Sequence, residues 1–217
     1  MTVKLAIFDC DGTLVDGQAG VCGAMDAAFA ACGLPLPDKH QVRRIVGLSL
    51  PQAIRILLPE ADENLRREID ASYRDAFRSA RESGELTEPL YAGIRDVLDA
   101  LRAAGWTLGV ATGKAQRGLD HCLATHGLTG HFATLQTADY HPSKPHPSMI
   151  EQALADTLAV AENAVMIGDT QYDIHMAVNA GVRGIGVDWG YHTPAELTSA
   201  GAAAIAASPA HLLELLR

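Results

Sequence analysis

The run Val3-Lys4-Leu5-Ala6-Ile7-Phe8 ends in two carboxylates one residue apart, Asp9 and Asp11, followed by Gly12. Five of the six residues before Asp9 are apolar. A short apolar run that stops at a turn residue predicts a strand buried on both faces, as in parallel sheets. Such a sheet needs helices to cover it, so this one stretch points the chain toward an α/β architecture. It also marks where chemistry belongs, because open α/β sheets bind ligands beyond the carboxyl ends of their strands. In a continuing strand, residues i and i+2 share a face. Gly12 lets the chain turn instead, so spacing alone leaves the directions of Asp9 and Asp11 open. Asp-Gly by itself is an ordinary turn pair.

The rest of the chain divides by pattern. Residues 17–32 are alanine-rich, with Val21, Met25, Ala28 and Phe29 at helical spacing. Val42, Ile45 and Val46 make a short apolar face, and Ser49 with Pro51 reads as a helix start. Leu65, Ile69, Tyr73 and Phe77 recur every four residues through a charged stretch over 62–81. No strand signal occurs between Gly17 and Gly84, which suggests a separate helical module inserted after the first strand. From Pro89 onward helices and strands alternate. Strands are expected at 106–111, at 132–137 with a weaker signal than the others, at 164–167 and at 184–187, with a small alanine-rich strand near 203–205. Helices are expected between them, around Ile94–Leu101, Leu119–Leu123, 147–158 and Ile174–Val178, with a last one at the carboxyl end after residues 194–200, which carry no assignment.

Composition narrows the function. A formal net charge of −9 argues against a broad nucleic-acid or anionic-membrane surface. It leaves room for a small anionic substrate, since a metal ion and one lysine reverse the sign locally. No apolar run reaches the length of a membrane helix, and no signal-peptide pattern precedes the first strand, so the expected location is the cytoplasm. The four cysteines, Cys10, Cys22, Cys32 and Cys122, have no CxxC spacing and read as free thiols. Cys10 reads as a small filler whose backbone matters, not as a nucleophile. The histidines at 121, 126, 131, 141 and 146 lack the spacing of a zinc motif. His146 and His192 lie on loops expected near the strand ends.

Four places carry candidate chemistry. Asp9 and Asp11 are the first. Thr112 follows a strand and precedes Gly113 and a helix start, where backbone N–H groups bind anions. Lys144 lies between Ser143 and Pro145 with Pro147 beyond, in a loop stiffened by proline. Asp169 ends a strand, and Asp173 falls on the first turn of the next helix, where an acid also serves as a dipole partner.

In this order Asp9-Cys10-Asp11-Gly12-Thr13-Leu14-Val15-Asp16, Thr112, Lys144 and Asp169 with Asp173 resemble the four motifs of the haloacid dehalogenase-like hydrolase superfamily. Ser143-Lys144-Pro145-His146-Pro147, Ile167-Gly168-Asp169-Thr170 and Trp189-Gly190-Tyr191-His192 are similar to its phosphoglycolate phosphatase-like branch. The resemblance implies a Rossmann-like parallel sheet covered by helices on both faces, formed by residues 1–16 and 85–217, with an all-helical cap over 17–84. It implies a Mg²⁺-dependent phosphatase of small phosphorylated metabolites, with phosphoglycolate the leading candidate. Asp9 would be the nucleophile and Asp11 the acid and base. Thr112, Gly113, Lys144 and the Cys10 backbone would hold the phosphoryl group. Asp9, Asp169 and the backbone carbonyl of Asp11 would bind the metal, with Asp173 in support. Arg44 or Ser49 in the cap would read the leaving group. No nucleic acid or membrane partner is expected, and the chain is expected as monomer or homodimer. A β-phosphoglucomutase-like phosphomutase and a non-catalytic phosphate-binding protein are the alternatives. Asp11 argues against a dehalogenase. Lys39, the one lysine of the helical insert, lies in a polar stretch and argues against a phosphonatase-type lyase.

Overall fold

The computed structural model describes residues 2–217. The first strand, β1 (Lys4–Phe8), is followed by four consecutive helices, α1 (Gln18–Ala31), α2 (Lys39–Arg44), α3 (Leu50–Leu57) and α4 (Glu63–Glu82). Then come α5 (Ile94–Ala103), β2 (Trp106–Thr112), α6 (Gln116–Thr125), β3 (Thr134–Thr137), α7 (Ser148–Thr157), β4 (Ala164–Gly168) and α8 (Gln171–Asn179). The chain closes with β5 (Arg183–Val187), α9 (Pro194–Ser199), β6 (Ala204–Ala206) and α10 (Pro209–Leu215). The third strand starts two residues later than the apolar pattern suggests. Phe132 is instead buried against the core just before it.

All pairings in the sheet are parallel, in the order β3-β2-β1-β4-β5-β6. The order reverses direction between β1 and β4, the crevice where such sheets take ligands. The alternation of side chains along β1 separates two cores. Ala6 and Phe8 face one with Leu98, Val110, Ile167 and Leu212, while Leu5 and Ile7 face the other with Met149, Ile150 and Met176. β1 is therefore covered on both sides, which is why its sequence is nearly continuous in apolar residues.

Helices α1–α4 bury their own cluster, including Met25, Phe29, Val42, Ile54 and Ile69. Local signals set their ends. Asp62 accepts from the backbone N–H groups of Asn64 and Leu65, 2.9 Å each, satisfying donors that α4 cannot pair internally. Two chain crossings join this module to the sheet, and they run side by side. Val15 and Leu90 form an antiparallel bridge, and the N–H groups of Asp16 and Tyr91 donate across it to Pro89 and Leu14. The module also rests on the sheet through the turn at residues 47–49. A Cβ at Gly113 would collide with the carbonyls of Gly47 and Leu48, and the Ser49 N–H donates to Ser143 Oγ at 2.9 Å. No helix among the described residues is long and apolar enough to cross a membrane.

Candidate active site

Strand register brings the sequence candidates to one end of the sheet. Phe8 aligns with Val110 on one side and Ile167 on the other, so Asp9, Thr112 and Asp169 all emerge at the carboxyl edge. The loop after β1 then separates the two acids. Gly12 takes a φ of +91°, and the N–H groups of Leu14 and Val15 both return to the Cys10 carbonyl. In consequence Asp9 and Asp11 meet different lysines.

Asp9 is fully buried. Its Oδ1 lies 2.8 Å from the Lys144 ammonium, which also reaches Asp173 Oδ1 at 2.6 Å. Asp9 Oδ2 is buried with no hydrogen-bond partner. Burial works against charge on Lys144, but Asp173 and Asp9 outweigh it and hold the ammonium above its ordinary range. Burial pushes Asp9 up to about 7 despite Lys144, with Asp173 and Asp11 adding to the rise.

Asp169 sits across the crevice, also fully buried. Thr13 Oγ1 donates to its Oδ1 and the Tyr191 N–H to its Oδ2, both at 2.9 Å. Burial, then Asp173 and Asp9, push Asp169 well above the usual carboxylate range. Gly12 and Gly190 close around it, and a Cβ at either would collide with the carboxylate. Asp173 is the third residue of α8 and completes a capping box. Its Oδ2 accepts from the Thr170 N–H at 3.0 Å and the Thr170 hydroxyl at 2.7 Å.

Carboxylate oxygens of Asp9, Asp169 and Asp173 lie within 4.8 Å of one another. Of these three buried acids Lys144 pairs with Asp9 and Asp173 only, two of the three are raised, and one oxygen has no donor. A divalent cation that takes oxygen ligands fits that deficit. Asp173 already accepts three hydrogen bonds, one of them from the Lys144 ammonium, whereas Asp169 accepts one neutral donor on each oxygen and Asp9 Oδ2 accepts none. Asp9 and Asp169 therefore keep the most capacity for an ion. The Asp11 carboxylate is not in this group.

Asp11 instead accepts from Lys114 Nζ through both oxygens, at 2.8 and 3.0 Å, and the same ammonium reaches Glu88 at 2.7 Å. Burial opposes charge on Lys114, but Asp11 and Glu88 among its neighbours hold it well above the ordinary range. Neither Lys114 nor Glu88 was singled out by sequence. Lys114 stands in the Thr112-Gly113-Lys114 turn, so its position was visible. Glu88 gave no signal, because it lies in the crossing that returns from the helical module.

The other candidates are placed as follows. Thr112 is buried and its hydroxyl accepts from the Lys114 N–H at 3.2 Å. Gly113 has a packing reason as well, the close approach of the 47–48 turn. The Cys10 side chain faces the core, 3.9 Å from Cys122 Sγ, so only its backbone is directed to the site. Ser49 borders the cavity between helical module and sheet, but Arg44 does not. Arg44 is spent on Glu196 in a two-pronged ion pair at 2.6 and 2.9 Å, and its carbonyl accepts from Tyr172 Oη at 3.3 Å. The expectation that Arg44 reads the leaving group is thus corrected, because its guanidinium already has a partner outside the cavity. His192 is buried and joins this contact. Its Nδ1 accepts from the Gln171 N–H, so Nε2 carries the proton toward the Arg44 carbonyl. His146 is exposed and caps the Ser148 N–H. The remaining histidines join no metal-binding group among the described residues.

A parallel sheet of this order carries at its carboxyl edge two acids after β1, each paired with its own lysine, and a third acid after β4, a donor set that fits an oxygen-liganded cation. The chain belongs to the haloacid dehalogenase-like hydrolases. The model of that family matches residues 6–187. Over 200 residues the chain is 36% identical to a protein named probable phosphatase IndB from Dickeya dadantii, covering 90% of this chain and 86% of that one. It is 29% identical over 219 residues to phosphoglycolate phosphatase of Vibrio parahaemolyticus, covering 99% and 96%. A haloacid dehalogenase-like family hydrolase from Streptococcus pneumoniae shares the fold with a TM-score of 0.86, at 25% identity and 99% coverage of both chains.

Proposed function

We propose that this chain is a Mg²⁺-dependent phosphatase that hydrolyses small phosphate monoesters through a phosphoryl group carried on Asp9. The observation that carries the reading is the state of Asp9, with one oxygen held by Lys144 and the other buried without a partner. A carboxylate so placed is oriented for attack and short of positive charge. The relatives named as phosphatases support the reaction class, and phosphoglycolate enters as a candidate substrate through them.

In the first half-reaction an Asp9 oxygen bonds to phosphorus as the ester P–O bond breaks. Asp11 gives its proton to the departing alkoxide. In the second, Asp11 takes a proton from water, the water oxygen bonds to phosphorus, and the P–O bond to Asp9 breaks. Inorganic phosphate leaves and Asp9 is restored. Lys144 and Thr112 with the Gly113 N–H orient the phosphoryl oxygens and offset their charge. Asp9 and Asp169, with the Asp11 carbonyl, would hold Mg²⁺, and Asp173 keeps Lys144 in place. When bound, the ion neutralises charge on the transferring group. Helices α1–α4 act as the cap that excludes bulk water from a cytosolic metabolite site. Lys39 is paired with Asp26 at 3.5 Å and is mostly exposed, so no cap lysine is offered for a Schiff base.

The test is phosphate release by wild type and Asp9→Asn from a panel of phosphate esters, with Mg²⁺ and with chelator. Release that requires both Asp9 and Mg²⁺ supports the proposal. Conversion of sugar 1-phosphate to sugar 6-phosphate without net release would move the reading to a phosphomutase. Binding without turnover would move it to a phosphate-binding protein.

A further inference from the structure

The cavity between cap and sheet is too large and too apolar for a two-carbon acid. Its volume is about 420 Å³, and it opens directly from Asp11, Gly113 and Lys114, the side from which an alcohol would depart. Glycolate fills roughly 60–70 Å³, little more than two water molecules. A space above about 300 Å³ is the size that takes a ring-containing ligand. Val21, Met25, Val42, Val46 and Phe77 form much of the inner wall. Apolar walls of this kind gain nothing from a small, fully hydrated acid.

The rim has a different character. Five cationic side chains line the cavity, Arg74, Arg78, Arg81, Lys114 and Arg117, against two carboxylates, Asp11 and Asp139. Ion-pair partners decide which of these cations is left to meet a ligand. Three of the five have carboxylate partners. Arg74 pairs with Asp70 at 2.5 Å and Arg78 with Asp75 at 2.6 Å, while Lys114 is held by Asp11 and Glu88. Arg81 and Arg117 make no ion pair among the described residues. Arg81 lies over the Phe77 ring, 5.9 Å from its centroid, and its Nε is buried with no hydrogen-bond partner. An unpaired buried donor beside an apolar cavity calls for an acceptor from outside the protein.

Resting on the phosphatase reading above, we propose that this cavity holds the alcohol part of the ester, and that this alcohol is a ring-sized, largely apolar body carrying a second anionic group. The body packs on the Val21, Met25 and Phe77 wall. The anionic group, a carboxylate or a further phosphate, is answered by Arg81 and Arg117. Phosphoglycolate would then be a poor substrate of a competent phosphatase.

The experiment compares kcat/KM for phosphoglycolate, benzyl phosphate and 4-carboxybenzyl phosphate, all esters of alkyl alcohols. Expected is a preference for 4-carboxybenzyl phosphate over phosphoglycolate of about 30-fold or more, with benzyl phosphate between them. Arg81→Gln combined with Arg117→Gln should cut the preference for the carboxylated over the plain benzyl ester about tenfold, and Arg81→Lys should restore part of it. A preference for phosphoglycolate over both benzyl esters would overturn the inference and leave the phosphatase intact. Charge selectivity that survives the double arginine variant would overturn the assignment of the second anion. If no ester releases phosphate, the phosphatase reading itself fails and the inference falls with it.

Discussion

Two buried lysines serve this site, and they are built differently. Lys144 joins Asp9 to Asp173, and all three side chains are fully excluded from solvent on the sheet side. Its partners come from β1 and from a capping box on α8, elements locked into the parallel sheet. Lys114 joins Asp11 to Glu88, and Glu88 belongs to the crossing that returns from the helical module. Lys114 also sits under Phe77 of α4, 5.5 Å from the ring centroid. One lysine holds Asp9 within the sheet, and the other ties Asp11 to the chain crossing that returns from the helical module. On the proposed mechanism, the attacking group would be set by the sheet alone, and the proton-transfer group by the contact between sheet and helical module.

The largest break in this comparison should come from Lys144→Met. Asp9 and Asp173 would be left buried without their cation, a loss of about 3–5 kcal/mol in stability. Phosphate release should fall at least about 100-fold. Urea unfolding followed by kinetics reads both, and a variant with wild-type stability would show that the buried pair is not what holds this edge. Lys114→Met should cost less, about 1–3 kcal/mol, because Asp11 borders the cavity and none of the three side chains is fully closed off from water. Its kcat should fall about 10–100-fold while KM changes little, since Asp11 and not the phosphoryl cradle loses its positioning. Equal effects from the two lysines on stability and on kcat would erase the distinction drawn here.

Cation removal sharpens the rigid side of the comparison. With Mg²⁺ at about 100 times its dissociation constant, linkage predicts a stabilisation of about 2.7 kcal/mol. A Tm that rises on adding Mg²⁺ to wild type, and less so to Asp169→Asn, places the ion without recourse to activity. No rise in wild type would count against the proposed ligands.

The smallest effect belongs to the contact between Arg44 of α2 and Glu196 of α9, outside the cavity. Arg44, then Thr193, pulls Glu196 down to about 2 from an ordinary 4.5. A depressed carboxylate contributes stability above its unfolded value and loses it as pH falls. The contribution is thus present above about pH 4.5 and vanishes as pH drops through about 2. Both side chains are partly exposed, so screening limits the pair to about 0.5–1 kcal/mol. Glu196→Gln should lower Tm by a few degrees at pH 7 and by almost nothing near pH 2. A constant difference across that window would mean the residue acts through packing alone.

Much of this was legible in the residues. The apolar run into Asp9, the helical stretch between Gly17 and Gly84 and the alternation after Pro89 each have a period or a breaker that reads locally. The strand-end positions of Thr112 and Asp169 followed from the same patterns. Arg44 shows where such reading stops. A solvated arginine and a leaving-group reader look alike in sequence, and its partner Glu196 is 152 residues away. The Cys10 side chain, turned into the core beside Cys122, was equally open until the loop after β1 had a shape.

By itself the sequence determined the sheet, its covering helices and the carboxylates at the strand ends, because hydrophobic period and turn chemistry act over a few residues. Tertiary structure alone decided which lysine each acid meets, how the 47–49 turn closes on Gly113, and that an arginine-rimmed cavity opens beside Asp11. Those outcomes depend on side chains far apart in the chain that meet only when helices dock, and no local periodicity encodes that meeting.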